Sequence, residues 1–248
     1  MYLTIKGLIL RVTNYNDHDA ILSVLTHSHG KLTVKARGLR RKNSPLIAPC
    51  QLLAYSEFVL FEYKGMYTIN EAHTVELFHG LRNDLQKLSL GSYFAQVSEV
   101  LSQEDQPSPE LLSLVLNSLY ALASLNTHEL LVKSVFELRS ACLSGYMPDI
   151  SGCIHCRNTT PDRFDVSSGH LECTMCRSQD SDGIRMPVSA GVLDALRYIC
   201  LCNHKKVYDF SVNEDTLSAL SQLSEIYLST QLERGFSALD FYKTILLN

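Results

Sequence analysis

The sequence predicts an α+β, multidomain chain: a small five-stranded barrel, then a helical domain interrupted by a metal-binding insertion. Three observations lead there. Five short β-rich runs fill roughly the first eighty residues, and from about Gly80 apolar residues recur at helical spacing. Further on, Cys153-Ile-His-Cys156 and Cys173-Thr-Met-Cys176 form two C-x2-C knuckles, separated as in a four-thiolate zinc site. The expected domains are residues 1–79 and 80–248, the second interrupted by an insertion at 150–185.

The strands are read from alternation and turn chemistry. Residues 4–12 and 20–26 are β-rich, and His27-Ser28-His29-Gly30 makes a turn. Residues 31–36 (K-L-T-V-K-A) then alternate, with Lys31, Thr33 and Lys35 on one face and Leu32, Val34 and Ala36 on the other. Residues 52–63 and 66–72 flank Lys64-Gly65, a hairpin signal. Among five-stranded barrels the OB-fold is the commonest choice, and it is a nucleic-acid-binding architecture.

The helical part begins with Leu81, Leu85, Leu88 and Tyr93 running into Val97, Val100 and Leu101, read as one continuous helix. Ser108-Pro109-Glu110 supplies an N-cap, a first-turn proline and an acidic first turn. Residues 111–125 are apolar nearly all round, as in a buried helix. Asn126-x-x-Glu129 reads as a capping box for a third helix ending at Ser144-Gly145. Ser189 caps a helix through Leu201, and Asn213 opens a last long one with a stripe of Leu217, Leu220, Leu223, Ile226 and Tyr227. An apolar pattern (Leu232, Phe236, Leu239, Phe241) continues almost to the end. The helices flanking the cysteine segment are expected to pack together, which makes that segment an insertion.

Two residues between cysteines let one tight turn aim both sulfurs at one metal, and two such turns complete a tetrahedron. Gly152 and Ser168-Gly169 provide bending points, the intervening segment suits a short hairpin, and Arg157 and Arg177 each follow a knuckle, where a cation offsets thiolate charge. Four cysteines close the shell, so Cys153, Cys156, Cys173 and Cys176 are read as ligands of one structural Zn2+, not a catalytic one. His155 lies between two ligands and is not itself counted as one. Cys50, Cys142, Cys200 and Cys202 read as small core residues.

Of the 248 residues, 46% are hydrophobic, enough for a real core. No run of eighteen apolar residues offers a membrane span. The first residues enter a strand pattern rather than a charged and then apolar leader, and eight cysteines without a secretion signal point to a reducing cytoplasm. There is no G-x-x-x-x-G-K-[ST], no H-E-x-x-H and no G-x-S-x-G, so neither an enzyme nor a nucleotide cofactor is expected. His27, His29, Asp17 and Asp19 read as surface residues, not as a metal site.

The formal net charge of −4 hides an asymmetry. Between Asp19 and Glu57 there is no acidic residue, while Lys31, Lys35, Arg37, Arg40, Arg41 and Lys42 contribute +6, leaving −10 for the rest of the chain. Six cations on one strand and the loop after it predict an anion-binding surface. Tyr15, Tyr55, Phe58, Phe61, Tyr63 and Tyr67 are the aromatics able to accompany them as base platforms, although most such rings belong in a barrel core.

In their order along the chain, these parts resemble the bacterial RecO family of recombination mediators. The resemblance is carried by residues 30–44 (Gly-Lys-Leu-Thr-Val-Lys-Ala-Arg-Gly-Leu-Arg-Arg-Lys-Asn-Ser), the preceding 19–26, the helical body, the four-cysteine insertion, and residues 227–237 (Tyr-Leu-Ser-Thr-Gln-Leu-Glu-Arg-Gly-Phe-Ser). It implies a nucleoid-associated DNA repair and recombination protein that binds single- and double-stranded DNA and anneals complementary strands. It further implies partnership with RecR and with the single-strand-binding protein, and indirectly with RecA, which it helps to load onto coated strands. Where many members carry Lys-Ser near the end, this chain has Phe236-Ser237, leaving Arg234 as the partner-binding candidate there. Two other readings compete: an RNA-binding barrel with a zinc accessory, and a zinc-stabilised protein-interaction module without DNA binding.

Overall fold

The computed structural model describes residues 1–176, 183–203 and 206–247. It contains two compact units, one made of residues 1–125 with 236–248 and the other of residues 126–235.

The first unit holds strands β1 (Tyr2–Tyr15), β2 (Asp19–Thr26), β3 (Lys31–Ala36), β4 (Tyr55–Tyr63) and β5 (Met66–Glu76). They close into a barrel of order β1-β2-β3-β5-β4, with β4 returning antiparallel to β1 and β3 meeting β5 in the parallel sense. β1 can serve two neighbours because it is long and bulged: its register shifts between Ile9 and Arg11. Ile9, Leu22, Val24, Val34, Phe58 and Leu60 fill the interior. In β3 the alternation read from sequence holds, with Leu32, Val34 and Ala36 buried and Lys31, Thr33 and Lys35 outward. The β4–β5 turn is Lys64-Gly65, both in the left-handed region (φ 50° and 74°) that a two-residue hairpin needs.

Helices α1 (His79–Arg82), α2 (Leu85–Leu101) and α3 (Pro109–Ser124) follow, and α7 (Ser237–Leu246) packs on α2. The single helix read over 81–101 is in fact two. Asp84 interrupts it, its carboxylate accepting from the backbone N–H of Gln86 and Lys87, so it caps the second helix. Pro109 stands at the first position of α3 as expected, but the Ser108 side chain makes no capping bond. Phe236 is a buried ring set edge-on against Tyr93 at 5.4 Å. A lysine there would leave its charge in an apolar core.

The second unit holds α4 (Glu129–Leu143), β6 (Asp149–Cys153), β7 (Arg163–Asp165), β8 (His170–Glu172), β9 (Arg185–Pro187), α5 (Ala190–Leu201) and α6 (Glu214–Gln231). The four short strands form one sheet of order β6-β8-β7-β9. The helices on either side of that segment do pack, α4 against α5 and α6. The capping box read at Asn126 is not used. His128 is the N-cap of α4, its Nδ1 accepting from the Leu130 N–H at 3.2 Å. Ser189 and Asn213 cap α5 and α6 as read. Phe164 of the sheet meets Tyr227 of α6 edge-on at 5.2 Å, fixing the inserted module on the helices. Cys50 and Cys200 are buried, whereas Cys142 and Cys202 are half-buried.

Candidate nucleic-acid interface and metal centre

The six cations divide into two groups. Lys31 and Lys35 are half-buried and engaged: Lys31 Nζ donates to the Glu99 carbonyl at 3.0 Å, and Lys35 pairs with Asp19 at 3.2 Å. Asp19 is the acid that the sequence interval just excluded, and the fold returns it to the middle of the cations. Arg37, Arg40, Arg41 and Lys42 are exposed on the loop after β3, and among the described residues no carboxylate forms an ion pair with them.

That loop is held, not free. Asp19 Oδ1 accepts from the Gly38 N–H at 2.8 Å, and the Arg40 N–H donates to the His18 carbonyl at 2.9 Å. Arg40 Nη1 also donates to the Asn16 carbonyl at 3.1 Å, while Leu39 is buried in the barrel core. The Gly38 N–H holds the Asp19 carboxyl below its usual value; partial burial opposes this, and Lys35 and Arg37 assist. Sequence reading missed Asn16, His18 and Asp19 as anchors, because their partners lie about twenty residues away.

The aromatics divide as well. Phe58 is core, Tyr55 and Tyr67 are half-buried, and Tyr15, Phe61 and Tyr63 are exposed. Lys35 Nζ lies over the Tyr15 ring, 4.8 Å from its centroid.

In the second unit, the four knuckle cysteines converge, with their sulfurs all within 4.8 Å of one another. Zn–S bonds of about 2.3 Å in a tetrahedron require sulfurs roughly 3.8 Å apart, and Cys156 and Cys173 stand at 3.8 Å. The first knuckle is a tight turn closed by Arg157 N–H to the Cys153 carbonyl, and the second is a 3-10 turn closed by Cys176 N–H to the Cys173 carbonyl. Gly152 lies within β6 rather than at a bend. A Cβ there would come 2.8 Å from the Asn158 carbonyl, so the first knuckle folds back only over a glycine. The segment between the knuckles is the β7–β8 hairpin turning at Ser168-Gly169.

The donor set fits a thiophilic cation. Burial pushes the Cys153 thiol up, but the backbone N–H groups of Cys156, His155 and Cys173 outweigh it and bring its pKa to about 6. Contact with Cys156, then burial and Cys153, pushes Cys176 up to about 12. Converging thiolates repel one another, and a bound cation is what lets all four ionise together. Among the described residues no other cluster of this kind occurs. His155 Nε2 lies 3.9 Å from a Glu172 carboxylate oxygen, outside the sulfur cluster. The Ser151 hydroxyl and N–H hold the Asp149 carboxyl below its usual value with Arg157 assisting at longer range, Arg177 lies outside the described residues, and Arg234 is exposed just before Gly235.

A buried charge cluster escaped the sequence reading. Lys133 Nζ contacts Glu137 at 3.1 Å and Glu225 at 3.0 Å and donates to the Ser221 carbonyl, while Ser224 Oγ donates to Glu137. In sequence Lys133 and Glu137 look like an ordinary surface pair one helical turn apart.

The family model described as Recombination protein O N terminal matches residues 1–78, and that described as Recombination protein O C terminal matches residues 82–240. The chain is 36% identical to DNA repair protein RecO of Acetivibrio thermocellus over 247 residues, covering 98% of this chain and 97% of that one. It is 29% identical to DNA repair protein RecO of Alkaliphilus metalliredigens, with 99% and 100% covered, and 26% identical to that of Bacillus subtilis, with 90% and 86% covered. No helix among the described residues is long and apolar enough to cross a membrane. With both halves matched in order and a relative of this identity aligned almost end to end, the chain belongs to the recombination protein O (RecO) family.

Proposed function

We propose that this protein is a cytoplasmic, nucleoid-associated DNA repair and recombination mediator, not an enzyme, that binds single- and double-stranded DNA through its barrel. In this reading residues 1–79 are the nucleic-acid-binding domain, and residues 80–248 are a helical domain interrupted by the insertion at 150–185. The observation that carries it is the loop bearing Arg37, Arg40, Arg41 and Lys42: exposed, with no ion pair to a carboxylate among the described residues, and pinned by His18 of the β1–β2 turn and Asp19 at the start of β2. A pinned loop holds its cations at fixed spacing, so less conformational entropy is lost when phosphates bind. Relatives named DNA repair protein RecO support the biological setting.

Annealing of complementary strands follows if two strands share one cationic face that screens their repulsion, a process that needs no nucleotide hydrolysis. Lys31 and Lys35 contribute to the field of that face, and the four loop residues contribute direct phosphate contacts. Partnership with RecR and the single-strand-binding protein, and help in loading RecA, is the wider role of this reading, with Arg234 as a contact candidate. A Zn2+ held by Cys153, Cys156, Cys173 and Cys176 would be structural, since four thiolates leave no open position for substrate.

The test is strand annealing by the wild-type protein and by R37A/R40A/R41A/K42A, with unchanged thermal unfolding as the control for folding. Annealing lost in the variant supports the proposal; annealing retained overturns it. A competing RNA strand of the same sequence that displaces DNA at far lower concentration would favour the RNA-binding alternative.

A further inference from the structure

We infer that Tyr2, Phe61 and Tyr63 form a base-stacking platform on the outer wall of the barrel, taking the bases of a single strand whose phosphates reach the cations beside it. The inference rests on the nucleic-acid reading above and names residues that it leaves open.

The strand register carries the argument. Tyr2 on β1 is opposite Phe61 on β4, Phe61 is opposite Thr68 on β5, and Thr68 is opposite Lys35 on β3. These four residues form one transverse row across neighbouring strands. All face outward, because Ser56, Phe58 and Leu60 take the inward positions of β4, and Leu32, Val34 and Ala36 those of β3. Phe61 therefore stands two strand spacings, roughly 10 Å, from the Lys35 position, with only a threonine between. The row leads on to the loop that follows Lys35.

The rings themselves are open to solvent: Tyr2 is 63% exposed, Phe61 40% and Tyr63 62%. Tyr2 and Phe61 lie 5.4 Å apart, and Lys64 Nζ stands 5.3 Å from the Tyr63 ring centre, so a cation flanks the platform at its hairpin end as well. Further down the same wall Lys6 pairs with Glu57, and Glu71 is opposite Val59. Acidic groups crowd that stretch, and the track instead runs from the aromatic end past Lys35, itself paired with Asp19, to the exposed cations Arg37, Arg40, Arg41 and Lys42 of the loop that follows. Solvent-exposed rings beside cations are the composition of a sequence-tolerant single-strand site, where every base offers a π-face. A protein partner with an apolar patch is the competing occupant.

The protein contains no tryptophan, so F61W gives the full chain a single indole at the platform. Two 5′-labelled probes of equal length are compared, oligo-dT and an abasic strand with the same phosphates, for wild type, F61A, Y2A and F61W. The expected result is about a tenfold loss of oligo-dT affinity in F61A, a smaller loss in Y2A, little change on the abasic strand, and an unaltered salt dependence. The indole of F61W should be quenched by oligo-dT and not by the abasic strand. If F61A binds oligo-dT like wild type, or loses both probes equally, or if F61W is not quenched, the platform assignment falls while DNA binding stands. If wild type binds neither probe, the nucleic-acid reading itself falls.

Discussion

The cation loop of the barrel and the cysteine knuckles of the second unit both gather like charge, and they resolve it in opposite ways. In the loop, Arg37, Arg40, Arg41 and Lys42 stay in water, and the backbone beneath them is fixed by the His18 carbonyl and by one carboxylate, Asp19, on the Gly38 N–H. In the knuckles, four sulfurs converge within 4.8 Å, too close to ionise together without a cation among them. Charge left outside calls for an external counter-charge, and the resulting binding is sensitive to salt. Charge drawn together calls for an internal one, and the result is stability that salt barely touches. The Lys133 cluster is a third solution, in which the counter-charges are covalently part of the same chain.

The comparison breaks first at the metal. Structural zinc contributes on the order of 10 kcal/mol, so C153S/C176S should lose its ion and open residues 150–176 to proteolysis. Elemental analysis should find one zinc per wild-type chain and none in the variant. DNA binding by the barrel should survive, and its loss would mean that the module takes part in the interface.

Next in size is the buried cluster. K133A takes the Lys133 ammonium away from the fully buried Glu137 and the half-buried Glu225, and removing one partner of a buried ion pair costs about 3–5 kcal/mol. Urea unfolding should register that loss, and salt should not rescue it.

Within the cation set the structure forecasts inequality. R41A should weaken single-strand binding several-fold, whereas K31A, whose ammonium is already spent on the Glu99 carbonyl, should do so less. Equal effects in anisotropy titrations would show that the division into engaged and available cations is wrong.

The smallest effect concerns Asp19. Its folded pKa is depressed, chiefly by the Gly38 N–H, so its anchoring is present above the unfolded value of about 3.9 and fades as pH falls through the lower folded one. Hydrogen exchange at the Gly38 amide should quicken in D19A at neutral pH. In wild type, protection relative to D19A should diminish only in that acid range.

Features written in local pattern were legible in the sequence. The outward and inward faces of β3, the Lys64-Gly65 turn and the two knuckles each need only a few neighbouring residues to specify them. What escaped depends on partners remote in sequence or on local rules that are rarely used. Asp84 divides 81–101 because its carboxylate takes two N–H groups, but the apolar spacing runs straight across it. His128 displaces Asn126 as a cap through an imidazole acceptor, an uncommon capping group. Lys133 reads as a surface lysine until α6 brings Glu225 and Ser221 against it. Asp19 reads as the end of an acid-free interval and becomes its anchor once β2 pairs with β3. Phe61 and Tyr63 could be named as candidates from composition, but only the register puts Phe61 in a row with Lys35.

In the proposed reading the four exposed loop cations make the phosphate contacts. Its most direct test is the salt dependence of single-strand binding, read by anisotropy, for wild type and R37A/R40A/R41A/K42A. With about 0.7 of slope per phosphate contact, the account predicts a log K against log salt slope shallower by up to about 3 in the variant, together with a large loss of affinity at low salt. Parallel lines of equal affinity would contradict it and move the DNA site away from this loop.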